Sequence, residues 1–107
     1  MIIMRATELR IGNLVKDING AIFKIRQENL CDFANGFIKV EPVPLTEELS
    51  LTFGFKNNRL GLFDCVKVGD DIGYHIYFIG KHLKEVQYVH QLQNLYFALI
   101  GDELMIN

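Results

Sequence analysis

Residues 86–101 read VQYVHQLQNLYFALIG, and with a neutral His90 none of these side chains carries a formal charge. In the full chain of 107 residues, 22% are Asp, Glu, Lys or Arg. An uncharged stretch of this length is therefore unusual for the chain. At 100° per residue, 89–100 predicts a helix with one broad apolar face. The residues of that face are Val89, Leu92, Leu95, Tyr96, Leu99 and Ile100. We therefore expect a C-terminal helix packed on the core and ending at Gly101.

The opposite side of this predicted helix carries His90, Gln93, Asn94 and Phe97. An ordinary surface helix would present Lys and Glu there and gain from ion pairs one turn apart. A ring among amides and an imidazole is typical of interface centres, where charged residues are depleted. Three coverings fit this pattern: the 56–59 loop or the N-terminal arm of the same chain, a second copy, or a foreign protein. The four residues are therefore predicted partner-interface residues, and the simplest assembly is a homodimer.

Two Asn-Gly pairs predict β-hairpins in the first third of the chain, because this dipeptide suits a two-residue type I′ turn. At Asn19-Gly20 the turn would pair Ile18 with Ala21. At Asn35-Gly36 the same rule would pair residues 31–33 with residues 38–40. Two successive hairpins indicate a small antiparallel meander.

Proline and glycine divide the rest of the chain. Pro42 and Pro44 lack an N–H donor and should end the first meander. Thr46 is a predicted N-cap, followed by a helix of about two turns that stops at Gly54. Residues 60–68, 74–79 and 82–88 then predict strands of a second meander.

The turn between the last two of these strands is predicted at Gly80-Lys81 as type II′, with glycine at the first central position. The fold class is therefore α+β, with small antiparallel β-meanders in two hairpin groups, one short helix and one packed C-terminal helix. The length and the absence of a linker predict a single domain, residues 1–107.

Composition excludes several classes of protein. Thirteen acidic residues against eleven basic ones give a net charge of −2, which argues against non-specific nucleic-acid binding. No apolar run is long enough to span a bilayer, and MIIMRATELR is too short and too soon acidic for a signal peptide. Cys31 and Cys65 are expected to be buried apolar residues in a reducing compartment. We expect a cytoplasmic protein without a membrane partner.

No pattern of catalytic residues is present in the sequence. Nucleophile signatures and glycine-rich phosphate loops are absent, so neither an enzyme nor a cofactor is expected. The histidines His75, His82 and His90 are seven and eight residues apart, which matches no recognised ligand spacing, and no metal site is expected.

One alternative site remains on the predicted second meander. Tyr74, His75, Tyr77, Lys81 and Lys84 combine ring faces with positive charge, and the predicted register sets Lys84 opposite Tyr77. Such a surface could bind a nucleotide or another phosphorylated ligand. The competing interpretation is ordinary cross-strand packing.

Four segments resemble a family of small uncharacterised proteins encoded in phages and prophages of Bacteroides-type gut bacteria. They are LRIGNLV at 9–15, PVPLTEE at 42–48, FGF at 53–55 and VHQLQNLYFALIGDEL at 89–104. No activity is assigned to that family, so the resemblance implies a phage context and no catalytic residue.

The leading expectation for function is a non-catalytic protein-interaction module. By analogy with small phage accessory proteins, it would act by stoichiometric binding to a host or phage protein, or as a homo-oligomer. The alternative is a small-ligand binder that sequesters a nucleotide-type signal, and an enzyme of unknown class comes third.

Overall fold

The computed structural model of the protein describes residues 8–34, 39–69 and 72–104. Its elements confirm the α+β class, with two antiparallel sheets and three helices. The chain divides into two compact units, one of residues 1–43 with 89–103 and one of residues 44–88 with 104–107. Each unit is described by itself below, and the prediction of a single domain stays a prediction.

In chain order, the elements are β1 (Leu14–Lys16), β2 (Ile22–Lys24), α1 (Gln27–Ala34), β3 (Glu41–Pro42), α2 (Glu47–Thr52), β4 (Arg59–Leu60), β5 (Phe63–Lys67), β6 (Tyr74–Phe78), β7 (Lys81–Val86) and α3 (Val89–Ile100). The first unit contains a three-stranded sheet in the order β2-β1-β3. The second unit contains a four-stranded sheet in the order β4-β5-β6-β7. Among the described residues, no helix is long and apolar enough to cross a membrane.

The hairpin predicted at Asn19-Gly20 is confirmed, but its register is shifted by one residue. Lys16 pairs with Ile22, and the backbone N–H of Asp17 donates to the carbonyl of Ala21, so the loop between the paired residues contains three residues, 18–20, instead of two. The side chain of Asp17 accepts hydrogen bonds from the backbone N–H of Asn19 at 2.9 Å and of Ala21 at 3.0 Å. Gly20 takes the left-handed conformation, with φ of 84°, which this longer turn requires.

The strand predicted before Asn35-Gly36 is wrong, because residues 27–34 form the helix α1. The side chain of Asn29 accepts a hydrogen bond at 3.0 Å from the backbone N–H of Arg26, as the third residue of a capped helix does. Residues 31–33 therefore belong to a helix, and Cys31 is exposed instead of buried. The turn at Asn35-Gly36 lies outside the described residues.

The first unit has its core beneath the short sheet. Four buried residues form this cluster, and Phe23 and Leu30 pack against it as partly buried neighbours. The four are Leu9, Val15, Ile25 and Val40. Pro42 lies in the edge strand β3, where a residue without an N–H can be accommodated because one side of the strand has no partner. The first sheet ends at this strand, as predicted.

The second unit begins with the short helix that the sequence predicts. Thr46 caps α2, and its hydroxyl accepts a hydrogen bond from the backbone N–H of Leu49 at 3.2 Å. Phe53 and Phe55 are buried with 2% and 1% of their surfaces exposed, so the exit of this helix is anchored in the core. Leu51, in the last turn of the same helix, is 57% exposed.

Two turns in the four-stranded sheet differ from the prediction. The strand predicted at 60–68 is broken at residues 61–62, where Leu60 pairs with Phe63 across the turn from β4 to β5. The turn between β6 and β7 is at Ile79-Gly80, with Phe78 paired to Lys81. Both central residues have positive φ, 53° and 75°, which is the type I′ geometry. The predicted Gly80-Lys81 turn is therefore off by one residue.

Candidate functional site

The side-chain amide of Gln93 is buried against the chain that leads into β1. Its Oε1 accepts a hydrogen bond from the backbone N–H of Leu14 at 2.8 Å, and its Nε2 donates to the carbonyl of Gly12 at 3.2 Å. Only 3% of Gln93 is exposed. A charged side chain in this position would have lost its hydration without an opposite charge, which explains why an amide is present.

Asn94 continues this contact with its own amide. Its Oδ1 accepts hydrogen bonds from Nδ2 of Asn13 at 2.8 Å and from Nε of Arg10 at 2.9 Å. Its Nδ2 donates to the carbonyl of Glu8 at 3.0 Å. The segment 8–14 of the same chain therefore covers the amide side of α3, which is one of the three coverings that the sequence allows.

Arg10 joins three parts of the first unit. Its Nη1 lies 2.6 Å from Oε1 of Glu103, and its Nη2 donates to the carbonyl of Gln93 at 3.3 Å. The guanidinium carbon also lies 4.2 Å from the centroid of the Phe97 ring, within the range of a cation–π contact. One face of Phe97 is thereby covered by Arg10, although 39% of the residue stays exposed.

His90 is as deeply buried as Gln93, with 3% of its surface exposed. Burial lowers the pKa of its imidazole, and the negative charge of Glu8 acts in the opposite direction with a smaller effect. Of the four predicted interface residues, Phe97 alone is exposed. The role of the four in binding a partner stays a prediction.

The last turn of α3 exposes apolar residues that the helical pattern assigned to the core. Leu99 and Ile100 are 41% and 42% exposed, whereas Val89 and Leu92 are fully buried as predicted. A helix of twelve residues is about 18 Å long, and a strand of three residues such as β1 spans only about 10 Å. Phe97, Leu99 and Ile100 together are called the apolar end of α3 below.

The aromatic and basic residues predicted to bind a nucleotide do not share one face of the second sheet. Tyr74 alternates onto the same face as the buried Ile76, and Nζ of Lys67 lies 5.2 Å from its ring centroid. Lys84 pairs with Ile76 and not with Tyr77, so the predicted register is wrong. The nucleotide site stays a prediction, with His75 and Tyr77 as the members that share the other face.

A β-bulge brings new neighbours to His75 and Tyr77. The pairing of β6 with β7 shifts between Ile76 and Tyr77, so that His82 is opposite Tyr77 and Glu85 is opposite His75. In a regular strand, residues three apart point to opposite faces; the extra residue of the bulge lets His82 and Glu85 point to the same one.

The resulting group on the outer face of the sheet is called the histidine cluster and consists of His75, His82, Glu85 and Tyr77. Nδ1 of His75 and Nε2 of His82 are 3.0 Å apart. Nε2 of His75 lies 3.4 Å from Oε2 of Glu85. The Tyr77 ring meets His82 edge-on, with 5.1 Å between centroids. Sequence reasoning missed this group because the register it used separates His75 from His82.

The inner face of the same sheet contains the buried thiol of Cys65, which is 1% exposed. Burial raises its pKa to about 11, and a hydrogen bond with Ser50 of α2 offsets part of this effect. A thiol with so high a pKa is almost entirely protonated at neutral pH and is a poor nucleophile. Cys65 is therefore part of the core, as the sequence predicts, and Ser50 has a structural role beside it.

Comparisons with known proteins add no identification: no family model, no curated protein and no solved structure matches the chain.

Proposed function

We propose that the protein is a non-catalytic protein-interaction module that works as a homodimer joined through the apolar end of α3. The observation that carries this proposal is the exposure of Phe97, Leu99 and Ile100, at 39%, 41% and 42%, within one helical turn. Phe97 and Ile100 are one turn apart on one side of the helix, and Leu99 lies on another side of the same turn. Exposed apolar side chains grouped at one end of a helix are typical of an interaction site.

The support beneath this surface favours binding without rearrangement. Gln93 and Asn94, one turn before it, are held by hydrogen bonds to segment 8–14. Arg10 holds the Phe97 ring from one side. A side chain that is already ordered loses less conformational entropy on association than a mobile one.

The charge pattern favours a second copy as the partner. Residues 86–101 have no charge apart from a protonated His90, so two copies can meet without repulsion of like charges. In a contact with two-fold symmetry, the same surface of each copy faces the other. An uncharged apolar surface can make such a contact without placing like charges together. Arg10 and Glu103 supply one charge of each sign beside Phe97, where the rim of such a contact would lie.

The resemblance to phage-encoded proteins extends the proposal to a biological setting. A phage accessory protein in the cytoplasm of the host cell would act by stoichiometric binding, and a host or phage protein is the alternative partner of the same surface. No sequence or structural observation selects a particular target.

The mass of the protein in solution tests the dimer. One chain has a mass of 12.3 kDa, and we expect light scattering to give twice that value for the wild type. Phe97→Asp and Ile100→Asp should each give the mass of one chain, because the contact would have to bury a carboxylate in place of an apolar side chain. Leu51→Asp is the matched control, since Leu51 is an exposed helical leucine of the other unit, and it should stay dimeric.

Circular dichroism of each variant would show that the fold is retained. A wild type that stays monomeric up to about 1 mM, where a contact of about −4 kcal/mol would already be half formed, would contradict the dimer. Dimeric Phe97→Asp and Ile100→Asp variants would assign the contact to another surface.

A further inference from the structure

The geometry points to a binding site for a divalent transition-metal ion, of the zinc, nickel and copper class, formed by His75 and His82. Imidazole nitrogens are the preferred ligands of these ions in proteins. Nδ1 of His75 and Nε2 of His82 are 3.0 Å apart on the outer face of the four-stranded sheet. This inference is independent of the dimer proposed above, because it concerns the other unit of the chain.

The separation of the two nitrogens matches that of two ligands of one ion. A metal–nitrogen bond of about 2.0–2.1 Å sets two nitrogens about 2.9 Å apart at a right angle and about 3.3 Å apart at the tetrahedral angle. The observed 3.0 Å lies between these values. An ion could therefore replace the hydrogen bond between the rings once side-chain rotation turns both nitrogen lone pairs toward it.

Glu85 favours the tautomer that this site needs. Its Oε2 lies 3.4 Å from Nε2 of His75, on the side of the ring away from His82. A carboxylate at the outer nitrogen holds the proton there, and it leaves Nδ1 with a lone pair for the metal. His82 would bind through Nε2 and hold its own proton on Nδ1.

The backbone holds these groups in place before any ion arrives. His75 lies in a central strand, paired on both sides, and His82 lies next to the tight Ile79-Gly80 turn. The bulge between them fixes which face His82 and Glu85 occupy. Bulges often redirect a side chain toward a functional site, which is what this one does.

The site has two protein ligands, and water would complete the coordination. Within residues 8–34, 39–69 and 72–104, no group of three or more His, Cys, Asp or Glu side chains is placed to hold a metal ion. The affinity should therefore be well below that of closed sites with four protein ligands. An accessible site with two ligands suits an ion that is exchanged or shared with another ligand.

Calorimetric titration with zinc and with nickel chloride tests the inference. The parent protein should carry Cys31→Ser, because the exposed thiol of Cys31 is a rival zinc ligand. We expect one ion per chain, with the affinity reduced at least tenfold in His75→Gln and in His82→Gln, and about tenfold in Glu85→Gln. Lys84→Gln is the matched control on the same strand, and its affinity should equal that of the parent.

Imidazole nitrogen NMR of the parent protein gives a second measurement that needs no change at the site. Zinc should shift the ring resonances of His75 and His82 and leave the buried His90 unchanged. Parent-like affinity in either histidine variant, shifts confined to other residues, or no heat up to 1 mM metal would overturn the inference.

Discussion

At the scale of single residues, two amides explain why a helix of this protein lacks charge. Gln93 and Asn94 bond to backbone and side-chain groups of segment 8–14, and both ends of each amide are used. An amide offers a donor and an acceptor at once, whereas a carboxylate offers acceptors only and a lysine donors only. The uncharged sequence therefore predicts that this side of α3 is covered, although it does not predict by what.

Replacing Gln93 with methionine tests this contact. Gln93→Met retains the length of the side chain but removes the partners of the Leu14 N–H and the Gly12 carbonyl. Because the Leu14 N–H loses its hydrogen bond at a buried position and the Gly12 carbonyl at a partly buried one, we expect urea unfolding to show a loss of about 2–4 kcal/mol. Gln27→Met is the control at the exposed start of α1 and should change stability by less than about 0.5 kcal/mol. Equal losses in the two variants would contradict the proposed role of Gln93.

At the scale of helices and strands, single residues with one strong structural preference predict where an element begins or ends. Thr46 caps α2 and Pro42 lies in an edge strand, as the sequence predicts. The hairpin at Asn19-Gly20 also forms, but the side chain of Asp17 stabilises a longer turn, and the register moves by one residue. The length of a turn depends on such local side-chain hydrogen bonds, and the periodicity of apolar residues does not predict them.

The strand predicted at residues 31–33 fails for a different reason. The Asn-Gly signal at residues 35–36 favours a hairpin, and alternating apolar residues agree with it. The hydrogen bond between Asn29 and the backbone of Arg26 starts a helix instead, and Leu30 packs against the core of the first unit. The β-bulge in β7 is likewise invisible in the sequence, which is why the histidine cluster was missed.

The cap of α2 gives a prediction at this scale. Thr46→Ala removes the acceptor of the Leu49 N–H, and we expect it to lower the free energy of unfolding by about 1 kcal/mol. Thr46→Ser, which retains the hydroxyl, should restore most of the loss. The control is Thr52→Ala in the last turn, where the Leu49 carbonyl keeps its bond from the backbone of Phe53. A loss in Thr52→Ala as large as that in Thr46→Ala would contradict this account.

At the scale of the whole molecule, the stability of the protein should depend on pH through His90. Burial lowers the pKa of His90 in the folded chain, so the unfolded chain binds a proton more readily than the folded chain does. The free energy of unfolding should therefore be constant above the ordinary histidine pKa of about 6.5 and fall as the pH decreases below it.

Chemical unfolding at pH 7.5, 6.5 and 5.5 measures this effect before the carboxylates begin to titrate. His90→Gln should be less stable at pH 7.5, because it alters a buried contact, but its stability should vary less with pH. A variant that follows the wild-type pH dependence would show that the acid sensitivity comes from another group.

The function of this protein is predicted less well from the sequence than its fold class is. The composition and the motifs do not identify an activity, whereas the uncharged helix predicts a covered surface. The apolar end of α3 is visible only once the short β1 strand is known to support part of the twelve-residue helix. The fold class can be predicted from the turn residues and the periodicity of apolar residues. Both candidate sites depend instead on the pairing register of the strands and on the lengths of the helices and strands.

The turn at Ile79-Gly80 has a consequence for the order in which the second sheet assembles. Ile79 is β-branched and holds a left-handed backbone, with φ of 53°, which costs energy until neighbouring strands compensate for it. The turn at Asn57-Asn58 has the same sign of φ at residues that adopt it readily. Hairpin nucleation should therefore start at the asparagine turn, and the strand that carries His82 should dock late, onto a partly built sheet.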